Sequence, residues 1–206
     1  MEREAMMDTV LQRRLIAAVA AAVIEHADEL TALDQAIGDG DHGLNMKRGC
    51  EAILAQLGVI AEQPLPEAIR AVGKTLVMKV GGASGPLYGM LFITLGGELP
   101  AEPTRTDTAR AFATALVAVK QIGRSDVGQK TLLDVLVPAQ QELAAGGDGL
   151  RERLCQRAAA AAEATIPMKA IKGRASFLGE RSIGHMDPGA RSSSLMIAAV
   201  CEALES

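Results

Sequence analysis

The chain has 206 residues, a length that suits one domain better than two and lets folding bury roughly 70% of the unfolded surface. Its 21 Lys and Arg stand against 25 Asp and Glu, and the formal net charge of −4 excludes a general electrostatic attraction to nucleic acid or to an anionic membrane. Hydrophobic residues make up 49% and aromatics only 2%, with alanine carrying much of the apolar count, so the composition favours helix over sheet.

Apolar positions at three-to-four spacing, from Leu11 and Leu15 through Val19 and Val23 to Ala27 and Leu30, predict a long first helix from about Asp8 to Leu33. Within it, Leu15 to Ile24 follows Arg13 and Arg14, but ten apolar residues flanked by acidic ones are too few to span a bilayer. The stretch therefore reads as buried helix, not as a targeting signal, and the protein is expected in the cytoplasm. A glycine-rich break leads to a second helix, about Leu44 to Leu57, and a third runs from Pro66, a favoured first-turn proline, to about Val80. GGASGP interrupts before a fourth helix, about Leu87 to Leu95. Thr106 or Asp107 then caps a fifth that closes near Gly123. A sixth starts near Thr131 and carries Pro138, which should kink it, and a seventh takes Asp148 as its N-cap. The segment GRASFLGERSIGHMDPGARSSS is too polar to pack as a helix and too long for an ordinary connection, so it reads as a lid. A final helix covers about Ser192 to Leu204. Eight helices with no repeat and no linker predict an all-α fold, an antiparallel bundle or barrel, in a single domain over residues 1–206.

Cys50, Cys155 and Cys201 lie far apart without a CxxC pair, which predicts reduced thiols and no zinc or redox motif. Two familiar phosphate motifs fail on context. Gly38, Gly40 and Gly43 satisfy GxGxxG but follow a helix and carry Asp39 and Asp41 where a pyrophosphate needs bare backbone donors. Gly73, Lys74 and Thr75 spell the end of a P-loop, yet its first glycine would fall at Ala68, and the triplet lies inside an apolar-periodic helix.

The carboxylates Asp34, Asp39 and Asp41, within eight positions at a helix end, say more. Two carboxylates about 4 Å apart at an effective dielectric near 20 repel by about 4 kcal/mol, so three converging ones require a cation or protonation. The nearest basic residues in the chain are Lys47 and Arg48. An EF-hand counted from Asp39 puts Leu44 at the sixth position and Cys50 at the twelfth, which excludes calcium in that form. Oxygen ligands in a loop point instead to magnesium shared with phosphate, beside the plainer alternative of a solvated acidic turn or helix cap. Gly81 to Gly85, with Ala83 and Ser84, offers backbone N–H groups at a helix N-terminus, which is a phosphate cradle without a lysine or equally the close packing of two helices. Arg174, Arg181, His185 and Arg191 give the polar segment the opposite charge, whereas His26 reads as structural. No nucleophile motif is present, since Pro86 stands where a GxSxG elbow at Ser84 needs glycine. An acidic metal loop, a glycine cradle and a basic lid together describe a nucleotide phosphate site.

The segments LDQAIGDGDHGLNMKRG, VGGASGPLYG and KGRASFLGERSIGHMDPGA resemble, in that order and spacing, the nucleotide-binding L subunit of dihydroxyacetone kinase, from about residue 10 to the end. The resemblance implies a barrel of eight antiparallel amphipathic helices with the nucleotide at one rim. It matches the family's three aspartates, which hold two magnesium ions, to Asp34, Asp39 and Asp41. It carries ADP or ATP contacts to His42, Gly43, Leu44 and Asn45, to Ala83 and Ser84, to Gly123 and Leu132, to Arg174, and to Asp187, Pro188 and Gly189. Thr131 is a further contact in GQKTLLD, and the lid runs from about Gly173 to Gly189.

The resemblance also implies partners. A K subunit holds dihydroxyacetone covalently on its own histidine, which accounts for the missing nucleophile here. A histidine-phosphorylated M subunit of the phosphoenolpyruvate phosphotransferase system recharges bound ADP in place. Relatives that use free ATP usually fuse K and L, and a chain of 206 residues has no room for a K domain, which favours the phosphotransferase-dependent type. Alternatives are an L-type subunit serving another ketose such as erythrulose or using free ATP, and a non-catalytic ADP-binding regulatory protein. A homodimer stays open; nucleic acid and membrane are not expected partners.

Overall fold

The computed structural model describes residues 2–205, with side chains from Thr9 onward, and those residues form helices and no strand. In chain order the helices are α1 (Glu2–Glu25), α2 (Ala27–Ile37), α3 (His42–Ala55), α4 (Leu57–Ile60) and α5 (Leu65–Lys79). They continue with α6 (Ser84–Glu98), α7 (Arg105–Gly123), α8 (Leu133–Ala145), α9 (Leu150–Glu163) and α10 (Pro188–Ala203). A 3₁₀ segment, Arg174–Ser182, lies between the last two.

The long first helix expected from the apolar spacing is broken at His26. Both the N–H of His26, at 3.2 Å, and its ring Nδ1, at 2.8 Å, meet the Ala22 carbonyl, so a side chain intrudes on the helical ladder and the chain turns into α2. Other differences lie at helix starts. Thr104 caps α7, two residues ahead of the expected position, because its hydroxyl accepts the Asp107 N–H while Asp107 reaches back to the Thr104 N–H. Gly149, in a left-handed conformation at φ 65°, precedes α9 in place of Asp148 as the cap. α10 begins at Pro188 with Asp187 as its cap, four residues before the expected Ser192. The polar segment, expected to stay out of helix, carries nine residues of 3₁₀ turns broken at Gly179, φ 56°.

Neighbour packing closes a ring among the described residues: α1 on α3, α3 on α5, α5 on α6, and then in order through α7, α8 and α9 to α10, which returns to α1. Counted this way the ring has eight helices; α2 lies outside it against α3, α10 and the 3₁₀ segment, and the short α4 against α1, α3 and α5. Glycines allow a close approach between α5 and α6. A Cβ added to Gly73 would stand 2.7 Å from the Gly89 carbonyl, so the glycine of the apparent P-loop triplet serves helix packing. The ring helices contribute Val23, Met46, Leu76, Tyr88, Val119 and Leu133 to the main apolar core, which Leu30 of α2 joins, and an apolar cavity of about 320 Å³ lies beside it. No helix among the described residues is long and apolar enough to cross a membrane.

Candidate functional site

The acidic turn is built around Asp34 in the last turn of α2. α2 stops at Gly38, whose N–H returns to the Asp34 carbonyl at 2.5 Å, and Gly40, φ 75°, swings the chain into α3. Asp34 Oδ2 accepts the N–H of Asp41 at 2.9 Å and that of His42 at 3.1 Å, so this carboxylate satisfies two of the donors at the start of α3. Asp34 is buried while Asp39 and Asp41 are exposed, and one oxygen of each lies within 4.8 Å of the others. Three carboxylates this close form a donor set that fits a hard divalent cation. The positive partner in the structure is neither Lys47 nor Arg48. Arg48 donates to Lys79 O and Asn45 Oδ1, whereas Arg174, far along the chain, places Nε 2.8 Å from Asp39 Oδ2.

Beside the turn, His42 is buried with its ring between two serines: Nδ1 lies 2.9 Å from Ser84 Oγ and Nε2 3.0 Å from Ser192 Oγ. Burial lowers its proton affinity, more than Asp34 and Asp41 raise it, so the ring is held as neutral imidazole between hydroxyls that can donate or accept. The protein's one tyrosine stands behind this pair. Tyr88 OH donates to Gly189 O at 2.9 Å and lies 2.8 Å from both Ser192 Oγ and Ser193 Oγ, joining α6 to the first turn of α10. Burial pushes its phenol above the usual range.

The α7–α8 connection supplies the opposite wall. Asp134 accepts the N–H of Gly128 at 2.5 Å and of Thr131 at 2.7 Å, which fixes the loop ahead of α8. At the start of α10, Asp187 Oδ2 accepts the Ala190 N–H at 2.7 Å. Burial raises the Asp187 carboxyl to about 7, with Asp134 and Asp34 adding to the rise and the Ala190 N–H and Lys130 opposing it.

These pieces surround a cavity of about 350 Å³ at one end of the ring. Asp34, Asp39, Asp41, His42, Ala83, Ser84, Gly123, Thr131, Leu132, Arg174, Asp187, Pro188 and Gly189 all line it. Gly43, Leu44 and Asn45 do not: Gly43 is buried against α2, Leu44 is 60% exposed, and Asn45 is tied to Arg48. Arg191, expected to add charge to the lid, is paired with Glu29 on α2 at 2.6 and 3.1 Å. The lining also includes residues the sequence reading passed over, among them Lys130, Lys172 and Tyr88. Each lies inside a segment already singled out: Lys130 in GQKTLLD, Lys172 at the head of KGRASFLGERSIGHMDPGA and Tyr88 in VGGASGPLYG.

The DAK2 domain family matches residues 36–202. The chain belongs to that family. As a DAK2 domain it is similar to the ADP-binding subunit of PEP-dependent dihydroxyacetone kinase 1 from Listeria innocua, 40% identical over 181 residues, 87% of this chain and 89% of the relative. It is likewise 40% identical over 179 residues to the ADP-binding subunit of the PEP-dependent dihydroxyacetone kinase of Escherichia coli, 83% of this chain and 85% of that one. The crystal structure of the C. freundii dihydroxyacetone kinase in complex with AMP-PNP and Mg2+ shares the fold, with a TM-score of 0.78 at 27% identity. That likeness covers 94% of this DAK2 chain and 34% of the longer kinase. Asp39 and Asp41 fall inside the family match, and Asp34 lies just before it.

Proposed function

We propose that this chain is the nucleotide-binding, phosphoryl-transferring subunit of a dihydroxyacetone kinase of the phosphotransferase-dependent type. In this reading ADP stays in the cavity with two Mg2+ ions and is rephosphorylated in place by a phosphohistidine M subunit. The γ-phosphoryl then passes to dihydroxyacetone held on a K subunit, giving dihydroxyacetone phosphate. The observation that carries the reading is the meeting, in one cavity, of three carboxylates within 4.8 Å of one another with a lid arginine 2.8 Å from one of them. The relatives named as ADP-binding subunits and the kinase complex with AMP-PNP and Mg2+ support it.

Asp34, Asp39 and Asp41 would hold the magnesium, which when bound neutralises phosphate charge. α6 begins at Ser84, which lines the cavity, so the free N–H groups and positive end of that helix start suit phosphate oxygens. Pro86, Leu87, Ile122 and Leu132 line an apolar part that suits a base. Arg174 would trade its Asp39 contact for the diphosphate and hold the leaving group in place, while the neutral His42 ring keeps Ser84 in position. Positioning and electrostatics carry the rate, and the acceptor is activated on the partner.

The deciding experiment purifies the protein without added nucleotide, gel-filters it, denatures it and counts adenine nucleotide and magnesium per chain. Near-stoichiometric ADP with about two magnesium ions per chain supports a resident cofactor. An empty protein makes the nucleotide an exchanging substrate and overturns that part of the reading. Failure to pass phosphoryl groups from an M-type donor to an acceptor on a K-type subunit would leave a binding protein that does not turn over.

A further inference from the structure

One buried side chain holds the lid at its base. Lys130 has a left-handed backbone, φ 62°, in a residue that is not glycine, and only 1% of its surface is exposed. Its ammonium donates to His185 O at 2.6 Å, Ser182 O at 2.7 Å and Met168 O at 3.0 Å, with Ile166 O at 3.4 Å. Three N–H groups thus serve four oxygens, and the longest contact shares a proton. The four carbonyls come from the turn after α9 and from the second half of the lid, and they converge. Without a cation between them their partial negative charges would repel, and Ser182 O, whose bond to the ammonium is buried, would lose this donor. Nearby bonds join the same segments: the Gly184 N–H reaches Ile166 O at 2.8 Å, and the Ala170 N–H reaches Ser182 Oγ at 2.9 Å. On its other side Lys130 continues directly into Thr131 and Leu132, which line the cavity together with Arg174 and Ala175 of the lid.

Resting on the nucleotide reading above, we propose that Lys130 is a positioning residue for the bound nucleotide: its ammonium fastens the lid to the α7–α8 connection, so that Arg174 stays over the aspartates. The lid then opens only by pulling carbonyls off a buried cation. Release of nucleotide is slow because that cluster must break. Lys130 itself need not touch the ligand.

The test uses the full chain. Lys130→Met keeps most of the buried stem and removes the charge, and Lys130→Arg keeps the charge in a planar fork that cannot serve all four carbonyls. Release of a fluorescent ADP analogue in the presence of Mg2+, and trypsin cleavage within 169–181, are followed for each variant beside thermal unfolding. The expected result is release at least tenfold faster in Lys130→Met, cleavage concentrated in the lid, and an intermediate effect for Lys130→Arg. Methylammonium should slow release from Lys130→Ala and leave the wild type unchanged. A purely structural role would raise cleavage throughout the chain and leave release from the folded fraction as in wild type, and that result overturns the proposal. So does wild-type release with an uncut lid. If Lys130→Met does not fold, the Arg variant decides by the same criteria. If the wild type binds no ADP with Mg2+, the underlying nucleotide reading has failed, and lid cleavage alone decides: faster in Lys130→Met supports the fastening role, equal overturns it.

Discussion

Arg174 Nε lies 2.8 Å from Asp39 Oδ2, which joins the segment after α9 to the turn between α2 and α3 across the mouth of the cavity. Both groups are substantially exposed, at 68% and 37% of their side-chain surface, so the contact contributes little to stability. Its interest is positional: it sets Arg174 beside the three converging carboxylates, where the proposed function requires a cation and phosphate.

Asp39→Asn keeps the shape of that residue and removes its charge. It should abolish phosphoryl transfer and magnesium-dependent nucleotide retention, because one of the three converging carboxylates is lost as an ionic ligand. Helix content by circular dichroism should be unchanged, since no N–H of α3 depends on Asp39. Normal turnover in the variant would remove the metal assignment.

Asp34 is expected to behave differently from its two neighbours, because it alone is buried and accepts two N–H groups at the start of α3. Asp34→Ala should lose nucleotide retention and also cost about 1–3 kcal/mol of stability, as expected when buried donors lose a charged acceptor. Urea unfolding of metal-free Asp34→Ala and Asp39→Ala measures the difference. Equal midpoints would show that the Asp34 bonds do not support the helix start.

How much of this was legible in the sequence follows from which contacts are local. Asp34, Asp39 and Asp41 stand together in the chain, and glycines beside them mark a turn, so their convergence was readable. Apolar spacing found the helices because a one-sided core writes its period into each of them. Helix starts were less legible. Thr104 competes with Thr106 and Asp107 as a cap, and only the reciprocal bond with Asp107 distinguishes it. The pairing of Arg174 with Asp39 and the carbonyl cluster on Lys130 join segments distant in sequence, so nothing local announces them. The break at His26 was also hidden, because the apolar pattern runs through it unchanged.

The buried Asp187 makes stability depend on pH in a defined direction. Its carboxyl is raised from an ordinary value of 3.8 to about 7, so between those values the folded state holds a proton that the unfolded state has released. Its contribution is fully present below the unfolded value and is lost as pH rises through the folded one. Asp187→Asn keeps an oxygen to accept the Ala190 N–H and removes the titration. Without nucleotide or metal, the urea midpoint of the variant relative to wild type should therefore rise between pH 4 and pH 8. A constant difference would mean that Asp187 is ionised in the folded protein throughout.

Gly73 and Lys74 separate helix packing from phosphate binding, since both belong to the apparent P-loop triplet inside α5. A methyl group on Gly73 would meet the Gly89 carbonyl and the Ile93 N–H at 2.7 Å, and both are backbone atoms with little room to move. Gly73→Ala should therefore destabilise the protein by about 1–3 kcal/mol through overpacking between α5 and α6. Lys74 is exposed and absent from the lining of the cavity, so Lys74→Ala should retain nucleotide as wild type does. Retention and urea midpoints on the two variants check both halves. Loss of nucleotide in Lys74→Ala, with its stability intact, would restore the triplet as a phosphate site and displace the cavity at the aspartate turn.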